Sequence, residues 1–125
     1  ERKIKMQRNT AETFSDILYL EVKPNTTIYQ GHMVALENGK AVPASKAESL
    51  VSVGRAEETV TGGFINVKRG VFLYENDTDN PLNETHILKE CYFKDSITVT
   101  ADNTTTSVAG KVIGFEDGQV KVEFR

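Results

Sequence analysis

The stretch His32-Met33-Val34-Ala35-Leu36-Glu37-Asn38-Gly39-Lys40-Ala41-Val42-Pro43 decides the fold class. Two short apolar runs flank Asn38-Gly39. A two-residue hairpin loop needs positive φ at both central positions, and Asn followed by Gly tolerates that at least cost. Pro43 ends the returning strand, because it has no N–H to give to a ladder. Upstream, Asp16-Ile17-Leu18-Tyr19-Leu20-Glu21-Val22 puts Leu18, Leu20 and Val22 on one face and Ile17, Tyr19 and Glu21 on the other, until Pro24-Asn25 breaks it. That period of two is the mark of a strand. Downstream, Ser45-Lys46-Ala47-Glu48 has capping-box spacing and predicts one helical turn. Residues 50–56 alternate, with Val51 and Val53 in phase. Gly62-Gly63 turns the chain into a second alternating run, Phe64–Lys68, and Arg69-Gly70 reads as a bulge or turn. Val71-Phe72-Leu73-Tyr74 is apolar throughout, as a strand buried on both faces is.

Residues 75–84 form the longest turn-rich stretch. Thr85 is expected to cap a short helix through Cys91, which gives Ile87, Leu88, Cys91 and Tyr92 a common face. Ile97-Thr98-Val99-Thr100 reads as a strand, and residues 102–106 as a polar turn. Residues 108–115 form a strand interrupted by Gly110 and Gly114, and Asp117-Gly118 is the second hairpin signal. Beyond it Val120, Val122 and Phe124 face one way and Lys121, Glu123 and Arg125 the other, a strand with one wet face. The total is roughly seven to nine short strands with one or two helical turns. The expected fold is therefore mainly β: a small β-barrel or β-sandwich-like domain with one or two short helices and an extended N-terminal arm. Residues 1–15 form the arm and residues 16–125 the single β-rich domain. At 125 residues and 13.9 kDa the chain has room for one such domain.

Composition narrows the function. Val, Ile and Thr make up about a quarter of the chain, which suits pleated sheets. A net charge of −3 removes the chain-wide basic footprint that nucleic-acid binding needs, so no nucleic-acid partner is expected. A lone Cys91 excludes an internal disulfide framework and a multi-cysteine zinc site. No apolar run approaches the ~20 residues of a membrane span, and no signal-type apolar stretch follows the basic start, so no membrane partner is expected.

The chemistry-bearing residues are few. His32 and His86 lack metal-ligand spacing and read as ordinary surface or half-buried histidines. Cys91 and His86 are near enough in sequence to meet across a helical turn, but apolar neighbours make Cys91 a core residue. Asp77-Thr78-Asp79-Asn80 places oxygen ligands at alternate positions, as calcium loops do, yet lacks the central Gly and the closing Glu. It reads as a solvated Asx-rich turn. Four Asn-x-Thr sequons, at Asn25, Asn76, Asn83 and Asn103, read as turn and strand residues. No paired carboxylates, phosphate loop or cofactor box stand out, so no catalytic residue, metal or cofactor is assigned. The profile is that of a structural or interaction module, not an enzyme.

The block Gly31–Ser45 is followed by Ser52-Val53-Gly54-Arg55-Ala56, by Arg69-Gly70-Val71-Phe72-Leu73-Tyr74-Glu75, and by a closing segment from Ala109 to Phe124. This order of hairpin, small-residue stretch, V-G-x-A strand and Gly-led apolar strand resembles the head-decoration, or capsid cement, proteins of tailed bacteriophages and prophages, of the lambda head-decoration type. The resemblance spans residues 28–124. It implies a small β-rich trimer that sits at threefold positions on the capsid exterior, after assembly in the host bacterial cytoplasm. There it binds the expanded shell and holds neighbouring major capsid (coat) proteins together. It also implies an N-terminal segment that reaches onto the coat and adds to a coat-protein sheet.

Residues 1–15 match such an arm in position and polarity. A polar start of this kind is either a frayed end or an arm that orders on a partner. In the second case Ile4, Met6 and Phe14 are the apolar anchors, while Arg2, Lys3, Lys5 and Arg8 steer toward an acidic coat surface. The alternatives are a soluble carbohydrate- or ligand-binding β module, and another virion component such as a tail or head-completion protein. A carbohydrate site needs an exposed aromatic platform. The candidates are Tyr19, Tyr29, Tyr74 and Tyr92, three of which sit in apolar runs that read as buried.

Overall fold

A computed structural model describes residues 16–125. The expected arm, with Arg2, Lys3, Ile4, Lys5, Met6, Arg8 and Phe14, lies outside the described residues. The fold is mainly β, with twelve strands and a single 3-10 turn at Glu84–His86 among the described residues. The strands are β1 (Ile17–Glu21), β2 (Thr27–Ile28), β3 (Met33–Glu37), β4 (Lys40–Pro43), β5 (Val51–Ala56), β6 (Val60–Thr61), β7 (Phe64–Lys68), β8 (Gly70–Asn76), β9 (Glu90–Phe93), β10 (Thr98–Thr100), β11 (Val108–Glu116) and β12 (Gln119–Phe124).

They form two units. A five-stranded sheet runs β1-β7-β5-β3-β4, and β10-β8-β12-β11-β9 closes into a barrel. The barrel closes through a short parallel pair, Thr98 with Glu75 and Val99 with Asn76. The sheet also curls. Val22, just past β1, bridges to Ala41 of β4, and the Lys23 N–H donates to the Ala41 carbonyl at 3.0 Å. The small pair β2-β6 completes this half.

Both hairpin signals form as read. Asn38 and Gly39 have φ of 51° and 83°, and Asp117 and Gly118 have 51° and 80°. Each pair therefore makes the turn that matches strand twist. The β3–β4 hairpin lies between two cores. Met33, Ala35, Val42 and Ala44 pack with the barrel residues Phe93, Val99, Val112 and Val122. Val34 and Ala41 point the other way and pack with Val22, Ile28, Ile65 and Val67. The doubly buried strand is thus β3, where Met33, Val34 and Ala35 are all fully buried.

The 71–74 run, read as buried on both faces, is not. Tyr74 is buried, but Val71 and Leu73 face solvent, because β8 has the barrel on one side only. The phase of Val51 and Val53 is also broken. Val34 pairs with Gly54 and Ala35 with Ser52, so Val53 is the extra residue of a bulge. The bulge turns Val53 inward and leaves Val51 60% exposed. In β11, bulges lie at 108–110 and at 112–114, beside both glycines that interrupt the strand.

Of the two expected helical segments, the one expected from Thr85 to Cys91 forms only a 3-10 turn, Glu84–His86, capped by Asn83, and the Ser45–Glu48 turn does not form. After the 3-10 turn Leu88 takes φ of 68°, and its N–H donates to Val112 in the barrel at 2.7 Å. That contact draws residues 90–93 into β9, where Cys91 pairs with Gly110. The Ser45–Glu48 turn is lost because the Ser107 hydroxyl donates to the Ala47 carbonyl at 2.5 Å and accepts from the Leu50 N–H at 2.9 Å. A side chain from the barrel takes the backbone groups that a helical turn would have paired.

Gly54 sits where a Cβ would lie 2.2 Å from the Lys68 carbonyl oxygen. Gly54→Ala therefore has to push β5 from β7. It is expected to cost about 1–3 kcal/mol, as overpacking does, read as a lower urea midpoint at unchanged slope.

Candidate docking surface and other candidate residues

Sequence position makes β1 the first element after residues 1–15, and topology makes it the edge of the five-stranded sheet. The Arg69 N–H donates to Asp16 and the Val22 N–H to Gly63, each at 2.8 Å. In an antiparallel ladder this fixes the parity: positions 16, 18, 20 and 22 turn their backbone groups toward β7. Tyr19 turns its N–H and carbonyl to the open side. The curl onto β4 covers the chain only from Val22 onward. Lys40 to Glu21 at 2.6 Å and Lys23 to Glu37 at 2.9 Å fasten that end to the hairpin. Among the described residues, Tyr19 is thus an open backbone position of β1 on a fixed base.

The outer face of the same strand carries aromatic surface. Tyr19 stacks on Phe64 of β7, with ring centroids 5.2 Å apart and planes 12° from parallel. Tyr19 is 66% exposed and Phe64 50%. Asn66, the register partner of Tyr19, is held by Glu58, whose carboxylate accepts from its backbone N–H at 2.9 Å and its amide at 3.1 Å. Ile17 extends the exposed apolar surface of this face toward the start of the strand, and Leu18 is exposed on the other face. The expectation that Tyr19 lies in a buried run is corrected here: among the described residues its ring meets Phe64 at the sheet edge and is otherwise left in water.

The remaining candidates have structural roles. The Cys91 thiol is fully buried, and burial pushes it up to about 12, which removes it as a nucleophile at neutral pH. His86 does not meet it: its Nδ1 accepts from the Asn83 N–H at 3.0 Å within the capped 3-10 turn. His32 Nδ1 lies 2.8 Å from the Ser96 hydroxyl. No group of three or more His, Cys, Asp or Glu able to hold a metal occurs among the described residues. Three of the sequon residues hold local structure: Asn25 has positive φ, Asn76 at the end of β8 clasps both backbone groups of Leu82, and Asn83 caps the 3-10 turn.

No known family model, curated protein or solved structure matches this chain.

Asp77, read as part of a solvated turn, is buried instead. Its carboxylate accepts from Lys94 at 2.6 Å, from the Thr100 hydroxyl at 2.8 Å and from the Asp79 N–H at 3.1 Å. The Lys94 ammonium also lies 3.6 Å from the Asp79 carboxylate. That partner, helped by the Asp79 N–H and the Thr100 hydroxyl, outweighs burial and holds the Asp77 carboxyl at about 2, below the ordinary 3.8. A depressed carboxylate stabilises the fold at pH above its unfolded value and loses that contribution as pH falls through the folded one. Wild-type stability should therefore drop between about pH 3.8 and about pH 2. Asp77→Asn should be less stable at pH 7 and flatter over that window, read by urea unfolding at a series of pH values.

Proposed function

We propose that this protein is a capsid decoration protein of a tailed phage or prophage. In this reading it is non-enzymatic and trimeric at threefold positions, and it stabilises the expanded head shell from outside by binding the major capsid protein. The observation that carries the reading is the exposed Tyr19–Phe64 stack at the edge of the five-stranded sheet, with the Tyr19 backbone groups turned to the open side, directly after the basic segment 1–15. A free strand edge accepts an added strand through its backbone, while alternate side chains give selectivity. The stretches that carry the family resemblance support it further. They fall on the β3–β4 hairpin, β5, β8 and the β11–β12 hairpin, the elements around the two cores. A clamp that binds only the expanded lattice adds its binding energy to that state alone. Threefold repetition multiplies weak contacts through effective concentration.

A second reading, a carbohydrate-binding module, is favoured by Tyr29. Its ring is 56% exposed and lies 5.6 Å from the His32 ring. Beside it is a cleft of about 310 Å³ lined by Gln30, His32, Glu75 and Gln119. Glycan-array binding that disappears in Tyr29→Ala would select this reading over decoration.

Co-sedimentation with expanded and unexpanded shells tests the leading proposal. Binding is expected to the expanded shell only. Deletion of residues 1–15 should leave a folded domain that no longer sediments with shells. Tyr19→Ala combined with Phe64→Ala should weaken binding about tenfold or more, the scale of a lost aromatic anchor. Equal binding to both shells, or deletion without effect, defeats it.

A further inference from the structure

The tip of the β3–β4 hairpin carries the chain's one Asn-Gly pair, Asn38-Gly39. Glu37 pairs with Lys40, so the ladder ends there and both tip residues lie outside it. Both are exposed. Neither the Asn38 amide nor the Gly39 N–H has a hydrogen-bond partner among the described residues. Gly39 has no Cβ, and nothing lies within 4 Å of where one would stand. A carboxamide carbon and an unhindered backbone nitrogen are thus adjacent in the chain, both unengaged, in water. Other asparagines differ on one of these points. The amides of Asn66 and Asn76 are bonded, to Glu58 and to Leu82, and the Asn83 side-chain oxygen accepts from Thr85. Asn80 is followed by Pro81, which has no N–H. Asn25 and Asn103 precede threonines, whose branched Cβ crowds the nitrogen, and the Thr104 N–H already donates to Asp102 at 2.9 Å.

We propose that Asn38 is a self-modification site: in the folded protein its side chain closes on the Gly39 nitrogen, and water opens the ring to leave a carboxylate at the hairpin tip. The Gly39 nitrogen attacks Asn38 Cγ and gives up its proton to solvent. The carboxamide nitrogen takes a proton and leaves as ammonia, which forms a cyclic imide. Water then adds to one of the two imide carbonyls. Breaking the new bond from Cγ to nitrogen restores the main chain and gives aspartate. Breaking the backbone C–N bond instead gives isoaspartate, with the main chain running through the side chain. Nothing is oxidised or reduced, and water is the one co-reactant. The protein itself shows that the aspartate product fits. Asp117-Gly118 makes the same two-residue turn, with φ of 51° and 80° against 51° and 83° at Asn38-Gly39. Isoaspartate does not fit, because it adds a backbone atom to a loop that fixes register. Ala41 and Val42 face opposite cores, and a slip exchanges them. The folded hairpin therefore keeps the aspartate form. The chain's formal net charge of −3 becomes one unit more negative. The added carboxylate stands in sequence between Glu37 and Lys40, whose pairs with Lys23 and Glu21 fasten β1 to the hairpin. The inference rests on the hairpin alone and does not require a capsid.

The test holds the folded full-length protein in mildly alkaline buffer and follows it by ion exchange. One acidic species, more negative by a single charge, is expected to grow with time. Peptide mapping by fragmentation mass spectrometry should place the change at residue 38, with aspartate in excess of isoaspartate in the folded fraction. Hydroxylamine, which attacks cyclic imides, should split the folded chain between residues 38 and 39. Asn38→Asp should co-elute with the acidic species, keep the wild-type urea midpoint and accumulate no acidic species at that position. No acidic species from the folded protein, a change that maps to Asn25 or Asn103, an excess of isoaspartate, or a lowered midpoint in Asn38→Asp overturns the proposal. None of these outcomes bears on shell co-sedimentation, so the two proposals fail separately.

Discussion

The β3–β4 hairpin has a core on each face, and the rest of the molecule is arranged around that constraint. Met33, Ala35, Val42 and Ala44 belong to the barrel side, and Val34 and Ala41 to the sheet side. A strand in that position cannot carry a polar side chain on either face without burying it, which costs more than a hydrogen bond returns. It also cannot carry large side chains on both faces, because two cores must approach within one strand's thickness. Val and Ala at alternate positions meet both demands. The tight Asn38-Gly39 turn then fixes the register, so that each small residue faces its own core.

Two cores that share a hairpin still need their outer strands joined, and the chain does this with hydroxyls. Tyr74 of the barrel donates to the Gly31 carbonyl at 2.7 Å, Ser52 of β5 to Ala109 of β11 at 2.5 Å, and Ser107 binds both Ala47 and Leu50. Each satisfies a backbone group where no ladder reaches it. The net worth of such a bond is about 1 kcal/mol, but an orphaned buried carbonyl costs about 1–3 kcal/mol. The seam is therefore held by avoided penalties as much as by contacts. Arg69 is the exception along it, a donor buried beside the seam with nothing to receive it.

Local signals were legible where a local rule sets the outcome. The two hairpin turns follow from positive φ at Asn-Gly and Asp-Gly, and the β12 alternation follows from one buried face. The misreadings share a cause: contacts from far along the chain. Cys91 leaves a helical pattern because Leu88 bonds to Val112. Ser45–Glu48 loses its turn to Ser107. The 71–74 run was assigned two buried faces, although that environment belongs to β3, whose shorter side chains gave the weaker signal. The β1 surface was half legible. Its alternation placed Tyr19 opposite Leu18, but only topology shows that β1 is the edge of its sheet and that this face is exposed among the described residues. Arg69 read as punctuation before Gly70, and no sequence pattern marks a guanidinium whose partner is missing.

The surface chemistry follows from this economy. Three groups that often perform reactions are held in structural contacts: Cys91 in the barrel core, Asp77 on Lys94 and Thr100, and His86 in its half-exposed cap. What faces outward is the stacked pair of Tyr19 and Phe64 at the edge of the five-stranded sheet. Natural sheets usually blunt an edge with charge, proline or a covering loop, because an open edge recruits other chains. Here Glu21, Lys23, Lys40 and Glu37 guard only the end of β1 that is already closed onto β4. The end that joins residues 1–15 keeps Ile17, Leu18 and Tyr19 exposed. The charged end of the strand is thus the closed one and its apolar end faces solvent, the reverse of an edge blunted along its whole length.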